Sequence, residues 1–366
     1  MTQKPLIIGT HSGTFHCDEA LACYMLSNHT KKYKNAKIIR SRNPDILKDC
    51  DILVDVGAIF DINKNRFDHH QKSFNEYFDN NDPEKVTKLS SAGLIYKYFG
   101  KEIIQDIYTN HNNLNTKRIP LNDTVLNDAH SSIYKKIIEE VDAIDNGVSQ
   151  YDTDIQPKYS IHTSLGSRIS RLNPSWNENA NDNIRLNLFH KAMNITGEEL
   201  KYSILNYFNS HLPARNIVID GLNNRYNIDK SGLILLFDSY VPYLSHYFDL
   251  ESELNIKDKP LYCIFPDSNN GWRIRAMPTM KNSFKCKKFL PDIWRGKRNN
   301  ELNKCGYAGI NDWVFVHSSG FIGGVLSKKS AIIAARFAIN YNSNNNGCAK
   351  HVQIIDGLIG RFDKKS

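Results

Sequence analysis

The first half of the chain alternates short apolar runs with longer stretches of helical spacing. Short runs have the length of buried strands, whereas apolar residues at every third or fourth position mark one face of a helix. Ile133, Ile137, Val141 and Ile144 repeat at the helical spacing. The pattern predicts strands at 6–10, 36–40 and 52–56 and helices at 18–26, 91–99 and 132–144. Such alternation is typical of an α/β domain with a mainly parallel sheet.

The second half begins with helices and then changes to strands. Residues 184–212 predict two helices, because Thr196-Gly-Glu-Glu199 is a helix start signal and Pro213 ends the second. A Gly-rich turn and a helix at 330–340 close the pattern. The strands are predicted at 233–237, 261–265, 272–277 and 313–316. We therefore expect a first domain over 1–212, with connecting helices, and a smaller α/β domain over 213–366.

The composition is that of a folded globular protein. Of 366 residues, 40% are hydrophobic and 23% charged, which excludes disorder throughout. The apolar run at 232–237 is far shorter than the ~20 residues of a membrane helix, so no membrane partner is expected. The start shows neither a secretory nor an Arg-rich signal, so we expect a cytoplasmic or nuclear protein. Mitochondrial localisation is an alternative, although the sequence shows no presequence.

Charge and cysteines narrow the chemistry further. The formal net charge of +8 is compatible with a polyanionic partner such as a nucleic acid. Seven cysteines, with no Cys-x-x-Cys spacing, fit reduced thiols in packing positions. Neither a disulfide framework nor a cysteine-rich zinc site is expected.

Histidines and aspartates recur at the ends of the predicted elements in the first half. Each has an ordinary structural interpretation alone, as a helix-terminal charge, a loop cap or a solvated flank. Together they are harder to dismiss, because the carboxyl ends of parallel strands meet at one edge of a sheet. An acid that ends an apolar strand, as Asp55 does, also needs a partner to offset its desolvation. The four places are His11-to-Asp18, Asp55, Asp68-His69-His70 and Asp142-to-Asp145.

A set of histidines and aspartates of this kind suits divalent cations such as Mn²⁺ or Mg²⁺. Two such cations about 3.5–4 Å apart activate water for attack on a phosphate without a covalent nucleophile. The chain contains neither a Gly-x-Ser-x-Gly elbow nor a Walker-type loop. The sequence therefore favours metal-assisted phosphoryl chemistry.

Basic, aromatic and glycine residues mark the second half. In Trp272-Arg-Ile-Arg275 the two arginines share one strand face. His317-Ser-Ser-Gly320 continues to Gly324 and predicts a Gly-rich turn whose backbone N–H groups bind an anion. This mixture would suit a nucleic-acid backbone and its bases. A solvated rim and a tight connection are the alternatives.

Long motifs make one resemblance specific. They are residues 8–23, Val54-Asp-Val-Gly57, 88–96, 141–147, Arg171-Leu-Asn-Pro-Ser-Trp176, Leu212-Pro-Ala-Arg215 and 315–324. With them, the chain resembles the melanocyte-proliferating-gene (UPF0160) family of the DHH phosphoesterase superfamily, from about residue 6 to about residue 340. The resemblance implies a DHH-phosphoesterase-like catalytic domain and a smaller C-terminal substrate-binding domain. It also implies a metal-dependent 3′–5′ exoribonuclease that releases 5′-mononucleotides from single-stranded RNA.

The resemblance implies a ligand set around two divalent cations, Mn²⁺ more than Mg²⁺. Asp55 would bridge the cations as a catalytic residue, and His70 would contact the phosphate or act as an acid. His16 stands where the superfamily usually has Asp, and the loop after His11 is one residue longer. The implied ligands are His11, His16 and Asp55 for one cation, and Asp18, Asp55, His69 and Asp142 for the other.

Some assignments have competitors. Asp145 competes with Asp142, because the two lie on one helical face, although alignment of the motif favours Asp142. Alternative functions are hydrolysis of pyrophosphate or very short oligonucleotides, and RNA binding without catalysis. The oligomeric state is left open. The implied substrate-binding residues are Lys88, Arg273, Arg275, His317, Ser318, Ser319, Gly320, Gly323 and Gly324.

Overall fold

The computed structural model describes residues 4–82, 86–111, 119–151, 158–305 and 310–342. The chain forms two compact units, Met1–Asn209 and Ser210–Ser366. Each unit contains a five-stranded sheet and helices. No helix in the described ranges is long and apolar enough to cross a membrane.

The sheet of the first unit is mainly parallel, as the sequence predicts. Its strand order is β2-β1-β3-β5-β4, in which only β4 runs antiparallel to its neighbour. Parallel pairing aligns the carboxyl ends of β1, β3 and β5 at one edge. The strands are β1 Ile7–Thr10, β2 Lys37–Arg40, β3 Ile52–Val54, β4 Phe60–Asp61 and β5 Arg66–Phe67.

Helices α1 and α3 pack against one face of this sheet. Helix α1 contacts β1 and β3, and α3 contacts β5. Ile8, Ile52 and Phe67 are buried in the sheet, whereas Leu53 belongs to a separate small cluster with Leu47 of α2. The helices are α1 Cys17–His29, α2 Pro44–Leu47, α3 Ser91–Asn110, α4 Asp123–Ile133, α5 Glu139–Asp145, α6 Leu165–Ser170 and α7 Asp182–Asn206.

Two helix predictions in the first unit are wrong in detail. The start signal at Thr196 lies inside α7, where the Thr196 hydroxyl donates to carbonyls of its own helix. Pro213 does not end a helix either, because it lies in the first turn of the helix Leu212–Ile228. A Cβ at Gly197 would lie 2.2 Å from the Tyr24 ring, so this glycine allows close helix packing. The helix predicted at 132–144 is also divided, because a π-helical turn at Tyr134–Ile138 separates α4 from α5.

The second unit has a mostly antiparallel sheet of order β6-β7-β8-β10-β9, with only β6 and β7 parallel. One face packs against α11 through Ile264, Ile274 and Ala334. Helices α8 and α9 cover the β6–β7 part of the other face. The elements are α8 Leu212–Ile228, β6 Ile234–Leu236, α9 Tyr243–Glu253, β7 Tyr262–Pro266, β8 Trp272–Ala276, α10 Asn299–Asn303, β9 Trp313–Val316, β10 Ile322–Val325 and α11 Lys328–Asn340.

The Gly-rich turn predicted up to Gly324 is wrong in its second half. The turn ends at Gly320, which has φ +76°, and Gly323 and Gly324 lie in strand β10, between β8 and β9. A Cβ on Gly324 would lie 2.5 Å from Arg273 Nη1 and 2.9 Å from the Phe315 ring. These two glycines therefore make room for neighbouring side chains rather than form an anion-binding turn.

Candidate metal centre

Asp55 stands at the centre of a cluster of histidines and carboxylates at the carboxyl edge of the first sheet. It follows β3 directly and has φ +55°, a left-handed conformation that is costly for a non-glycine residue. Asp55 Oδ2 lies 3.3 Å from His11 Nε2, and Asp55 Oδ1 lies 3.4 Å from His69 Nε2. Each oxygen of one carboxylate thus faces a different histidine.

The loop after β1 provides one side of the cluster. His11 Nδ1 lies 3.1 Å from the Ser12 carbonyl oxygen, an arrangement in which Nδ1–H donates and Nε2 faces the carboxylates. His11 Nε2 lies 3.0 Å from Glu19 Oε1. His11, His16, Glu19 and Asp55 each offer a ligand atom within 4.8 Å of the others.

Sequence reasoning missed Glu19, which is fully buried. Both carboxylate oxygens of Glu19 accept the His16 backbone N–H at 2.9 Å, the reciprocal contact of a helix capping box. The spacing of three residues between His16 and Glu19 was the available signal. Glu19 therefore both starts α1 and faces His11.

A second side chain network ties this loop to the segment before α7. Asn173 Oδ1 accepts the Phe15 backbone N–H at 3.0 Å, and Asn173 Nδ2 donates to the Phe15 carbonyl at 2.9 Å. Arg40 also donates to the Gly13 carbonyl at 2.9 Å. The loop that carries His11 and His16 is thus fixed from two directions.

Asp18 provides the test of whether the residues fit a cation. It is fully buried, and neither carboxylate oxygen has a hydrogen-bond partner within the described part of the chain. Burial, followed by the charges of Asp55 and Asp145, raises its pKa well above the usual value. Asp18 groups with His16 and Asp145, with ligand atoms within 4.8 Å. A buried carboxylate in such a place fits a bound cation.

The Asp68-His69-His70 segment provides the other side. His69 Nε2 lies 3.1 Å from Asp145 Oδ2. Asp68 lies 2.7 Å from His70 Nδ1 and accepts the His70 backbone N–H at 3.1 Å, so it orients this half-exposed imidazole. Asp55, His69 and His70 form a further group of possible ligands.

The structure brings Asp145, rather than Asp142, to the cluster. Asp142 is fully buried and turned toward the start of α3, where it accepts hydrogen bonds from the Ser90 backbone, the Ser90 hydroxyl and the Tyr134 hydroxyl. It belongs to none of the ligand groups among the described residues. Burial, despite these hydrogen bonds, raises the pKa of Asp142 to about 7.

Electrostatics show that the cluster needs positive charge. Burial disfavours protonation of His11 and His69, yet the carboxylates that face them raise the pKa of each to about 10. The two histidines in turn hold the pKa of Asp55 below its usual range, although burial opposes this. Histidine protons therefore compensate the excess of carboxylates. A divalent cation binds neutral histidines and would take the place of these protons.

An open cavity of about 1370 Å³ contains the cluster. Its walls include His11, His16, Asp18, Asp55, His70 and Asp145. The cluster is therefore accessible to a substrate much larger than a phosphate ion.

Lys88 is placed in a structural contact. Its ammonium donates to the Phe74 carbonyl at 2.8 Å, and the backbone carbonyl of Lys88 accepts a hydrogen bond from the Asn146 side chain. Lys88 therefore supports the segments on either side of α3, and it is not part of the cavity wall.

The remaining predicted substrate residues lie in the second unit. Arg273 pairs with Asp267 and lies 5.2 Å from the centre of the Phe315 ring. His317 Nδ1 accepts the Ser319 backbone N–H at 3.2 Å and faces the Ser319 hydroxyl at 2.9 Å. Ser318 is exposed and Arg275 is half-buried on the same strand as Arg273. These residues form a basic and aromatic part of the second sheet.

Comparison with known proteins identifies the family. A family model described as "Uncharacterised protein family (UPF0160)", with the short name MYG1 exonuclease, matches residues 7–339. The chain belongs to this family. The match spans both compact units, in agreement with the resemblance drawn from the motifs.

Relatives match over nearly the whole chain. A MYG1 protein of Dictyostelium discoideum is 41% identical over 335 residues, which are 92% of this chain and 97% of the relative. A MYG1 protein of Caenorhabditis elegans is 42% identical over 346 residues, 93% and 96% of the two chains. The MYG1 exonuclease of Homo sapiens is 40% identical over 342 residues, 93% and 87%. No solved structure matches the chain.

Proposed function

We propose that this protein is a metal-dependent exonuclease that removes nucleotides from the 3′ end of single-stranded RNA. The observation that carries the proposal is Asp55, whose two oxygens face His11 and His69 on opposite sides. A carboxylate shared by two ligand groups would hold two cations close together, as two-metal phosphodiester hydrolysis uses them. The names of the mouse and human relatives, MYG1 exonuclease, support this class of reaction. A DHH-phosphoesterase-like fold for the first unit is part of the same proposal.

Two divalent cations, Mn²⁺ or Mg²⁺, would be held on either side of Asp55. His11, His16 and Asp55 would bind one, with Glu19 close enough to take part. The other would be bound by Asp18, Asp55, His69 and Asp145. We assign the last position to Asp145 because it lies 3.1 Å from His69, whereas Asp142 is engaged by Ser90 and Tyr134.

Cations in this position supply an activated water and neutralise charge on the scissile phosphate. The protein's own residues position the reactants. Asp68, which lies 2.7 Å from His70 Nδ1, leaves Nε2 of this exposed ring to contact the phosphate or to donate a proton to the leaving oxygen. Asp55, at the end of β3, would fix the position of the two ligand groups relative to each other.

In the second unit we propose that Arg275, Arg273 and the exposed His317-Ser318-Ser319 segment bind the RNA chain. Arg273 over Phe315 offers a flat cationic and aromatic surface for bases. Gly324 would contribute by leaving space for Arg273 and Phe315, whereas Gly320 ends the turn that carries the serines and Gly323 makes room for Leu290 and Val316.

The test is hydrolysis of a 5′-labelled single-stranded RNA with Mn²⁺, with Mg²⁺ and with a chelator. We expect a metal-dependent ladder that shortens from the 3′ end. Asp55→Asn should abolish it, whereas Asp49→Asn, which changes an exposed carboxylate outside the cavity, should not. Hydrolysis of dinucleotides or pyrophosphate but not of longer RNA would favour a small-substrate phosphohydrolase and contradict the proposal.

A further inference from the structure

The cavity extends from the metal centre along a wall that the proposed reaction does not use. Arg42 follows β2, and Arg66 lies on β5, two residues before Asp68. Both arginines line the same cavity as the histidine and aspartate cluster. No role in metal binding or proton transfer follows for either of them.

Both guanidinium groups are held in place without being neutralised. Arg42 Nε donates to the Ser12 carbonyl at 3.3 Å, and Arg66 Nη1 donates to the carbonyls of Lys64 and Asn65 at 3.0 and 3.3 Å. Among the described residues, no carboxylate forms an ion pair with either arginine. A guanidinium fixed by carbonyl groups keeps its charge and its remaining N–H groups for an anion.

The nearby Lys48 differs in this respect. Its ammonium lies 3.0 Å from Asp45 Oδ1, three residues earlier on the same short helix segment. Arg273 in the second unit is likewise paired with a carboxylate, Asp267. Arg42 and Arg66 thus differ from these two cations in lacking an acidic partner among the described residues. Arg171, which lines the same cavity and donates to the His162 carbonyl, shares this property.

An apolar floor lies beside the two arginines. Leu47, Leu53 and Val56 line the cavity and form one cluster. Leu53 is the register partner of Arg66 on the neighbouring strand, so the two side chains share one face of the sheet. The next residues along the two strands, Val54 and Phe67, are also register partners and point to the other face of the sheet, where both are buried under the helices. An apolar floor with fixed cations at its rim suits a nucleoside and its phosphate.

The wall is connected to the segments that carry the ligands. Arg42 contacts the carbonyl of Ser12, the residue after His11. Arg66 lies on the strand that leads into Asp68, His69 and His70. If one phosphate of an RNA chain lies at the metal centre, an adjacent nucleotide of that RNA would therefore lie at this wall.

We propose that Arg42 and Arg66 bind a second phosphate of single-stranded RNA, and that the Leu47–Leu53–Val56 floor accepts the nucleoside beside it. This proposal rests on the proposed function and deepens it. It makes the first unit a binding site for a polynucleotide rather than for an isolated phosphodiester. RNA should accordingly be preferred over substrates that offer only one phosphate.

The first test compares two substrates with Mn²⁺, a single-stranded RNA of about ten nucleotides and bis(p-nitrophenyl) phosphate, which has one phosphate. For Arg42→Ala and Arg66→Ala, we expect the loss in kcat/KM on RNA to exceed the loss on the small diester by about tenfold or more. Lys37→Ala is the control, because Lys37 is exposed at the opposite end of β2 and outside the cavity wall. Equal losses on both substrates would overturn the proposal, since the arginines would then act through the metal centre.

The second test measures RNA binding in the presence of a chelator, which stops hydrolysis. The slope of log Kd against log salt concentration should decrease by about 0.7 for each arginine removed. Arg42→Lys and Arg66→Lys should retain the slope, because they keep the charge. Unchanged slopes in the alanine variants would overturn the proposal. Absence of RNA hydrolysis by the unmodified protein would contradict the exonuclease function instead, and the slopes would still decide the role of the two arginines.

Discussion

The two sheets of the molecule treat charge in opposite ways. In the first unit, Asp18 is buried without a hydrogen-bond partner among the described residues, and Asp55 faces two histidines. In the second unit, several charges near the sheet form ion pairs, as Arg273 does with Asp267 and Lys287 with Glu251. Paired charges compensate each other within the protein, whereas the buried histidine and carboxylate groups of the first unit are of the kind that could hold a cation. The contrast supports the proposed location of the metal centre in the first unit.

Strand direction explains part of this difference. Parallel strands β1, β3 and β5 end at one edge, so His11, Asp55 and His69, each one or two residues beyond its strand, converge there. The antiparallel strands of the second sheet place successive strand ends at opposite edges. A flat face, with Arg273 beside Phe315, is the surface that such a sheet offers.

The largest effect is expected for Asp55→Asn. The change removes the charge that both ligand groups share, so we expect kcat on RNA to fall by about 10³-fold or more. Circular dichroism and thermal unfolding should show a folded protein. Activity near that of the unmodified protein would show that the two ligand groups act without a shared carboxylate.

The next effect separates two neighbouring aspartates. Asp145→Asn should weaken Mn²⁺ binding by at least about 10-fold, the loss typical of weakened metal coordination. Asp142→Asn should leave Mn²⁺ affinity unchanged, because its carboxylate is engaged by Ser90 and Tyr134. Titration calorimetry measures both variants. The reverse result would assign the ligand to Asp142, as the motif alignment favours.

Asp142 also has a pH signature of its own. Its pKa is raised to about 7 by burial, so the folded protein favours the protonated carboxyl. Its contribution to stability is present below the unfolded pKa of roughly 4 and is lost as the pH rises through about 7. The free energy of unfolding should therefore fall less between pH 5 and pH 8 in Asp142→Asn than in the unmodified protein. An identical decline in both would contradict this electrostatic role.

A smaller effect is expected at Asn173. Its side chain holds the Phe15 backbone with two hydrogen bonds and so positions the loop that carries His11 and His16. Asn173→Ala should weaken Mn²⁺ binding by about 10-fold, as loss of a ligand-positioning contact does. Asn177→Ala in the exposed segment nearby is the control. Equal Mn²⁺ affinity in the two variants would show that the loop is positioned without Asn173.

The smallest effect is expected in the second unit. Arg273→Ala should leave Mn²⁺ binding unchanged and reduce the salt slope of RNA binding by at most about 0.7, because Asp267 already offsets its charge. Fluorescence anisotropy with labelled RNA measures the slope. A change in Mn²⁺ affinity would contradict the assignment of metal binding to the first unit alone.

Much of the candidate site could be predicted from the sequence. Strand-end position marked His11, Asp55 and His69, and the structure brings these residues together. The choice between Asp142 and Asp145 could not be predicted, because one helical turn places both on the same side of α5; the motif favoured Asp142, whereas the structure brings Asp145 to the cluster. Their surroundings differ because Asp142 contacts Ser90 and Tyr134. Ser90 is distant in the chain, and Tyr134 begins the π-helical turn before α5.

Other features depend on packing that the local pattern does not show. Gly323 and Gly324 looked like part of a turn, yet both lie in β10, where Gly324 leaves room for Arg273 and Phe315 and Gly323 for Leu290 and Val316. Gly197 looked like a helix start, yet its missing side chain admits the Tyr24 ring. In each case glycine is required by a neighbour far along the chain rather than by its own backbone conformation.

The most direct test of the account is a count of bound Mn²⁺ per chain, by equilibrium dialysis and elemental analysis at saturating metal. We expect two ions for the unmodified protein and fewer than two for Asp55→Asn, with Asp49→Asn still binding two. One ion or none in the unmodified protein, or two ions retained in Asp55→Asn, would contradict a centre in which Asp55 is shared between two cations.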